Sequence, residues 1–228
     1  MTDPCHPVSV HVGIVGGTGP AGSALAALLA SVGVDVVIGS RSAERAVDTC
    51  GAIRQRWPDL DLQLRGAENR HAAGAELVVV ATPWDAAAST AASVGDALEG
   101  KVVVSMANAL VKVGDEFQAL VPARGSIAAA LQAAVPGALV AAAFQHLPAR
   151  SLGDLDVGLE ADVLVCSDHP RAVEETCELV GKVPGLRPLD AGRLASASAV
   201  EAFTAVLLQI NVRYRARAAV RLTGLEGR

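Results

Sequence analysis

The chain has 228 residues and a formal net charge of −5, a length that makes one domain, or one domain with a smaller appendage, and buries a full core without staples. Hydrophobic residues make up 51% and charged residues 19%, which excludes a disordered chain. The acidic balance, with only two Trp, one Tyr and three Phe, argues against nucleic-acid binding through a basic surface or through base stacking.

Short apolar runs alternate with helix-compatible stretches. A strand is predicted over residues 8–15, a helix over 22–31, a strand over 34–38, and a helix over 43–57 that Pro58 stops. A short third strand is predicted over 60–64, a fourth over 77–81, a fifth over 101–105 and a sixth over 138–144. Continuous rather than alternating apolar strands imply a parallel sheet covered on both faces, and the strand–helix alternation gives a Rossmann-like, doubly wound α/β fold. Beyond 144 the texture changes to loop, then a strand over 162–166, a helix over 171–180, a strand over 186–189 and a long helix over 196–221. Residues 1–145 are therefore expected to form a dinucleotide-binding domain, and residues 146–228 a small C-terminal α/β cap ending in the long helix. Val200, Phe203, Val206, Leu207, Ile210 and Tyr214 are expected on one stripe of that helix, a surface suited to a homodimer.

Cys5, Cys50, Cys166 and Cys177 show no metal-ligand spacing, so no metal site is expected. Cys166, inside an apolar run, reads as a buried, inert thiol, and the set suits a reducing compartment. The N-terminus lacks a basic segment followed by an apolar one. Glycines and charges break the apolar runs before about 18 residues accumulate. A soluble cytoplasmic protein with small-molecule partners is expected, without nucleic acid or membrane.

The strongest signal is the run Val12-Gly13-Ile14-Val15-Gly16-Gly17-Thr18-Gly19-Pro20-Ala21-Gly22. Gly17, Gly19 and Gly22 form G-x-G-x-x-G between a predicted strand and a predicted helix, which is the context dinucleotide binding requires. The first glycine permits the turn, the second lets the backbone approach a pyrophosphate, and the third lets helix and strand pack closely. NAD binders place a carboxylate about 20 residues further on; here Gly39-Ser40-Arg41 stands there, with Arg45 a turn later. A hydroxyl and two guanidiniums suit the 2′-phosphate of NADP, and two charge-assisted hydrogen bonds favour it by roughly 10² to 10⁴. Alternatively Ser40 caps the second helix and the arginines are solvated.

Ligands of such sheets lie beyond the carboxyl ends of the strands. Three loops qualify: Thr82-Pro83-Trp84, Met106-Ala107-Asn108 and Gln145-His146-Leu147-Pro148. Trp84 either walls the nicotinamide or only packs. His146 either bonds a second ring and shuttles a proton or is a polar loop residue. Asp85 is expected to cap the helix 86–94. His6, His11 and His71 have no evident partners. No Ser-His-Asp order, paired-carboxylate spacing or lysine-centred motif stands out, which suits a hydride exchange that needs mostly positioning.

With Gly16-Gly17-Thr18-Gly19, Ile38-Gly39-Ser40-Arg41 and Ala81-Thr82-Pro83-Trp84 in view, the sequence resembles the NADPH-dependent coenzyme F420 reductases. The resemblance continues through Val163-Leu164-Val165-Cys166-Ser167-Asp168 and is most specific at Gly185-Leu186-Arg187-Pro188-Leu189-Asp190-Ala191-Gly192. It implies hydride transfer between the nicotinamide of NADP(H) and the deazaflavin of coenzyme F420. It places Thr18, Ser40, Arg41 and Arg45 on the NADP phosphates. The loops after the fourth and sixth strands, with the start of the last helix, would then face the deazaflavin. The runs 145–148 and 193–198 depart from the family's usual sequence, both on that side. The deazaflavin carries a phosphodiester and glutamate carboxylates, so Arg187 and Arg193 are expected to bind its tail. Arg213, Arg215, Arg217 and Arg221 are expected on the last helix, either as a further basic surface or simply solvated. Two other readings rest on the same residues: an NADP-dependent reductase of a small imine, ketone or metal chelate, and a non-enzymatic sensor of the NADP/NADPH ratio.

Overall fold

The computed structural model describes residues 11–225. The expected first three residues of the opening strand (8–10), Cys5 and His6 lie outside the described residues. The first half of the chain runs β1 (His11–Val15), α1 (Pro20–Ser31), β2 (Asp35–Ser40), α2 (Ala43–Arg56), β3 (Leu64–Glu68), α3 (Asn69–Ala72), β4 (Leu77–Val80), α4 (Trp84–Ala92) and β5 (Val102–Ser105). A hairpin follows, β6 (Leu110–Val113) and β7 (Glu116–Ala119), then α5 (Ile127–Ala134) and β8 (Leu139–Ala142). The remainder is α6 (Ala149–Leu152), β9 (Ala161–Ser167), α7 (Pro170–Gly181), β10 (Leu186–Asp190) and α8 (Ala197–Tyr214).

Eight strands form one sheet in the order β10-β9-β8-β5-β4-β1-β2-β3, parallel at every pairing except β8 with β9. The central strands are near-continuous Val, Ile and Ala with every residue of β4 and β5 buried, as a sheet covered on both faces demands. One core packs α1, α2, α6 and α7 on one face; the other packs α3, α4, α5 and α8 on the opposite face. The C-terminal segment adds β9 and β10 to the same sheet, so the transition expected at residue 145 falls between two paired strands.

Strand order reverses between β1 and β4, and the ligand crevice of such sheets lies beyond the carboxyl ends of the strands at that point. The antiparallel β9 has a further effect. Ala142 pairs with both Ser105 and Cys166, so β9 starts at the crevice edge and ends at the opposite edge. The parallel β10 follows it, and Gly192 accepts a hydrogen bond from Ser167 N at 3.0 Å.

Four expectations are corrected. The third strand is Leu64–Glu68, not 60–64; its Gly66 lies where an added Cβ would meet Val47 N of α2 at 2.3 Å, so only glycine fits that close approach. The last helix ends at Tyr214, because Arg215 turns left-handed (φ 49°) and Asn211 takes Ala218 N and donates to Ala218 O, folding the chain back. Its stripe divides: Val200 and Leu207 are buried, whereas Phe203, Val206 and Tyr214 are exposed. Residues Leu194–Tyr214 are, among the described residues, long and apolar enough to cross a membrane by length and composition, contrary to the expected interruption. In the fold this stretch packs against β7 and α5 and carries the buried Glu201.

Candidate cofactor cleft

The loop between β1 and α1 is built from glycines with distinct duties. Gly16 takes φ 71°, and an added Cβ there would meet the Thr82 methyl at 2.2 Å. A Cβ on Gly17 would meet Ile14 O at 2.8 Å, and one on Gly22 would meet Gly17 Cα at 2.7 Å. These positions are closed by protein. Gly19 differs: a Cβ there meets nothing within 4 Å. Gly19 is also the N-cap of α1, no side chain caps the helix, and Pro20 occupies its first turn. The remaining first-turn N–H groups are thus presented to an anion above open space, and a pyrophosphate fits there. The loop is braced by Gly16 N donating to Asn69 Oδ1 at 3.0 Å and Gly17 N donating to Gly39 O at 2.9 Å.

At the end of β2, Ser40 is buried and its hydroxyl accepts from Ser42 N at 3.3 Å. The cap of α2 is Ser42, which accepts from Arg45 N, so capping does not account for Ser40. Arg41 and Arg45 are exposed, and neither forms an ion pair among the described residues. Thr18 on the β1–α1 loop, Ser40 and Arg41 at the end of β2 and Arg45 in the first turn of α2 thus stand at one sheet edge.

Across the crevice, Pro83 is the N-cap of α4, and Asp85 lies in its first turn without capping it. Trp84 is 38% exposed on the same helix start. Thr82 packs its methyl on Gly16 while its Oγ1 is buried without a partner. Asn108 donates from Nδ2 to Gln145 O at 2.7 Å, and Thr204 Oγ1 of α8 lies 3.4 Å from the same carbonyl. Asn108 therefore fixes the loop after β8. Gln145 is 4% exposed, and both of its side-chain amide atoms lack partners. Buried orphan polar atoms are costly unless a ligand or water completes them. Phe144, directly before, holds a left-handed backbone (φ 66°) with its ring fully buried, a local strain of the kind that gathers at functional sites.

His146 does not line the crevice. It is 2% exposed, and its Nε2 bonds to the Asp162 carbonyl at 2.9 Å. Burial pushes its pKa down, so it is held neutral inside the protein. Its carbonyl partner belongs to a dense knot. The Asp162 carboxylate, with no exposed surface, accepts from Arg187 Nε and Nη2 at 2.8 Å each and from Leu222 N at 2.6 Å, with Arg221 at 3.6 Å. Arg187 holds that carboxyl below the usual carboxylate range. Arg187 is thereby engaged in structure. Arg193 follows Gly192 at the edge of the sheet opposite the glycine loop, where it borders a depression with Ser167, Asp168 and Asp190. Arg217 lies past the end of α8 and pairs with Asp154, so it shares no helix face with Arg213. Cys166 is buried with its thiol pushed up to about 11, as expected of an inert cysteine.

Gly17, Thr18, Gly19, Pro20, Gly22, Ser40, Arg41, Arg45, Thr82, Pro83, Trp84 and Asn108 thus lie at or just past the carboxyl ends of β1, β2, β4 and β5, whereas His146 is buried after β8 and Arg193 lies at the opposite edge of the sheet. Asn69, which braces the glycine loop, and Thr204, which meets the Gln145 carbonyl, reach these loops by tertiary pairing that no sequence signal announces.

A parallel sheet with a glycine turn at the strand-order reversal defines a dinucleotide-binding protein of the Rossmann type. Residues 11–109 match the family described as NADP oxidoreductase, coenzyme F420-dependent. The chain is 34% identical over 226 residues to the F420-dependent NADP reductase of Methanothermobacter marburgensis, covering 95% of this chain and 99% of that one. It is 31% identical over 223 residues to the namesake from Methanocaldococcus jannaschii, covering 95% and 100%. A crystal structure from Arthrobacter sp. FB24, proposed as an F420-dependent NADP reductase, shares the fold with a TM-score of 0.78 at 22% identity, covering 94% of this chain and 99% of that one. The chain belongs to the family of F420-dependent NADP reductases.

Proposed function

We propose that the protein transfers a hydride between NADP(H) and coenzyme F420. What supports this reading is the open space over Gly19 at the start of α1, beside loops that hold the buried, unpartnered Thr82 Oγ1 and Gln145 amide. The nicotinamide and the deazaflavin supply the redox chemistry when bound. The protein's residues position and exclude water. Gly19 and the start of α1 bind the pyrophosphate; Thr18, Ser40, Arg41 and Arg45 bind the remaining phosphates and select the 2′-phosphate. Thr82, Pro83 and Trp84 wall the ring-binding part, and the Gln145 amide gives two N–H donors and one carbonyl acceptor to the polar edge of the second ring. Asn108 and Thr204 hold the Gln145 backbone in place. No side-chain base is required, and buried His146 acts through the loop rather than on the substrate. The test is the absorbance of oxidised F420 with NADPH; no NADPH-dependent reduction would refute the reading.

We further propose a cytoplasmic homodimer. Phe203, Val206 and Tyr214 of α8 are exposed in a row beside Phe117 of β7, an uncovered apolar surface that a second copy would bury. Sedimentation of the parent and of a Phe203→Glu, Val206→Glu variant tests this; a monomeric parent would refute it.

A further inference from the structure

The acidic tail of the second substrate needs a basic surface, because the chain as a whole is acidic. Four of the arginines that the sequence offers for this are engaged or misplaced. Arg187 and Arg221 surround Asp162, Arg217 pairs with Asp154, and Arg193 stands at the far edge of the sheet.

Two other guanidiniums border one cleft. Arg150 follows Pro148 by two residues, so it leaves directly from the 145–148 loop onto α6. Arg56 is the last residue of α2. Both line a cleft of about 280 Å³ that begins at Pro20 and Ser23, in the first turn of α1. Its apolar walls come from Ala24, Ala27, Ile53 and Trp57. Arg56 lies over the Trp57 ring, 5.0 Å from its centroid, which fixes the guanidinium while leaving its N–H groups free to meet an anion. Arg150 forms no ion pair among the described residues. The carboxylate that feels the field of Arg56, Asp154, is already neutralised by Arg217.

We propose that this cleft receives the anionic tail of the deazaflavin, with Arg150 and Arg56 binding its phosphodiester or glutamate carboxylates. The proposal rests on F420 being the second substrate. A ring held at Gln145 leaves its tail to pass over Leu147 and Pro148, and the next residues of that loop lead to Arg150. Guanidinium forks match carboxylate and phosphate oxygens, and both arginines are exposed at the cleft, where an anion can reach them. Charge placed in this cleft also attracts the tail locally where the net charge of the chain repels it.

The test compares two acceptors with NADPH as donor: F420 bearing its glutamyl tail, and the tail-less deazaflavin core. Arg150→Ala should raise KM for tailed F420 about 10-fold, the loss of one charge-assisted hydrogen bond. Arg150→Lys should recover part of it, and Arg150→Ala with Arg56→Ala should exceed either single variant. The defect should shrink in about 1 M salt, where the Debye length is about 3 Å. KM for the tail-less acceptor and for NADPH should not change. Equal shifts for both acceptors, or an unchanged KM for tailed F420, would overturn the proposal. If the parent reduces neither acceptor, the assignment of the second substrate fails first, and this inference with it.

Discussion

Gly19→Val separates binding from folding in the glycine loop. At Gly19 an added Cβ meets nothing within 4 Å, and the backbone (φ −77°, ψ 168°) is one that valine adopts freely. The fold should therefore tolerate the branched side chain, with a stability change of about 1 kcal/mol or less from the poorer N-cap. The space it fills is where a pyrophosphate would approach the first turn of α1. Displacing that anion forfeits one or two charge-assisted hydrogen bonds of about 1.5–3 kcal/mol each, so Kd for NADPH should rise by about 10²-fold or more. Gly22→Ala is the contrasting variant. Its Cβ would lie 2.7 Å from Gly17 Cα and 3.0 Å from Ala81 Cβ, a clash of the new methyl with the glycine-loop backbone and the Ala81 methyl. That overpacking should cost about 1–3 kcal/mol of stability. Thermal unfolding and NADPH fluorescence titration on both variants check the pair. If Gly19→Val binds NADPH as tightly as the parent, or unfolds as early as Gly22→Ala, the space above Gly19 is not the pyrophosphate site.

Arg41→Ala should raise KM for NADPH at least about 10-fold more than KM for NADH, which has no 2′-phosphate to lose; equal losses would remove Arg41 from the site. Gln145→Ala should raise KM for F420 with little effect on NADPH binding, as steady-state kinetics with each substrate varied will show. Asp162→Asn should destabilise the fold by about 3 kcal/mol at neutral pH, since Arg187 then loses its carboxylate. Asp162 has a lowered folded pKa, so its contribution is present above its unfolded value of about 3.9 and is lost as pH falls toward the folded one; acid unfolding curves of parent and variant should converge there. For His146 the folded pKa is lowered, so the unfolded chain binds the proton first and stability falls as pH drops below about 6.5. His146→Gln should flatten that slope, measured as melting temperature against pH, and should leave the hydride-transfer rate within about 10-fold.

The sequence carried the parallel sheet because Val, Ile and Ala runs bounded by helix-compatible stretches have few other solutions, and it carried the NADP side because glycine and arginine spacing within one strand–helix–strand unit is local. The second-substrate side is nonlocal. Gln145, Thr204 and Asn108 are far apart in the chain and meet only through the order β5-β8-β9 and the packing of α8. Arg193 was misplaced for a related reason: nothing in the residues announced that β9 reverses direction, and that reversal carries the loop after β10 to the wrong edge. The hairpin β6–β7 was missed although Leu110-Val111-Lys112-Val113 leads into a Gly114-Asp115 turn with Gly114 at φ 59°, a pattern that two-residue hairpins require. β3 was displaced because Arg65-Gly66-Ala67 has no β-branched residue to mark a strand.

Phe144 gives the second-substrate loop an unusual foundation. A non-glycine residue bent into left-handed backbone tends to relax, and here the ring is clamped in the core. The hinge of the loop is thus anchored by a fully buried aromatic ring. Residues after the hinge inherit their direction from it, and both Gln145 and His146 are carried beneath the surface there. Such a socket lets a protein exchange the group it shows to a substrate while the peptide path stays put. Phe144→Gly would ease the strain and release the clamp together, and the result would be a loop freer in motion and poorer in selection, with the NADP cradle on the far side of the crevice undisturbed.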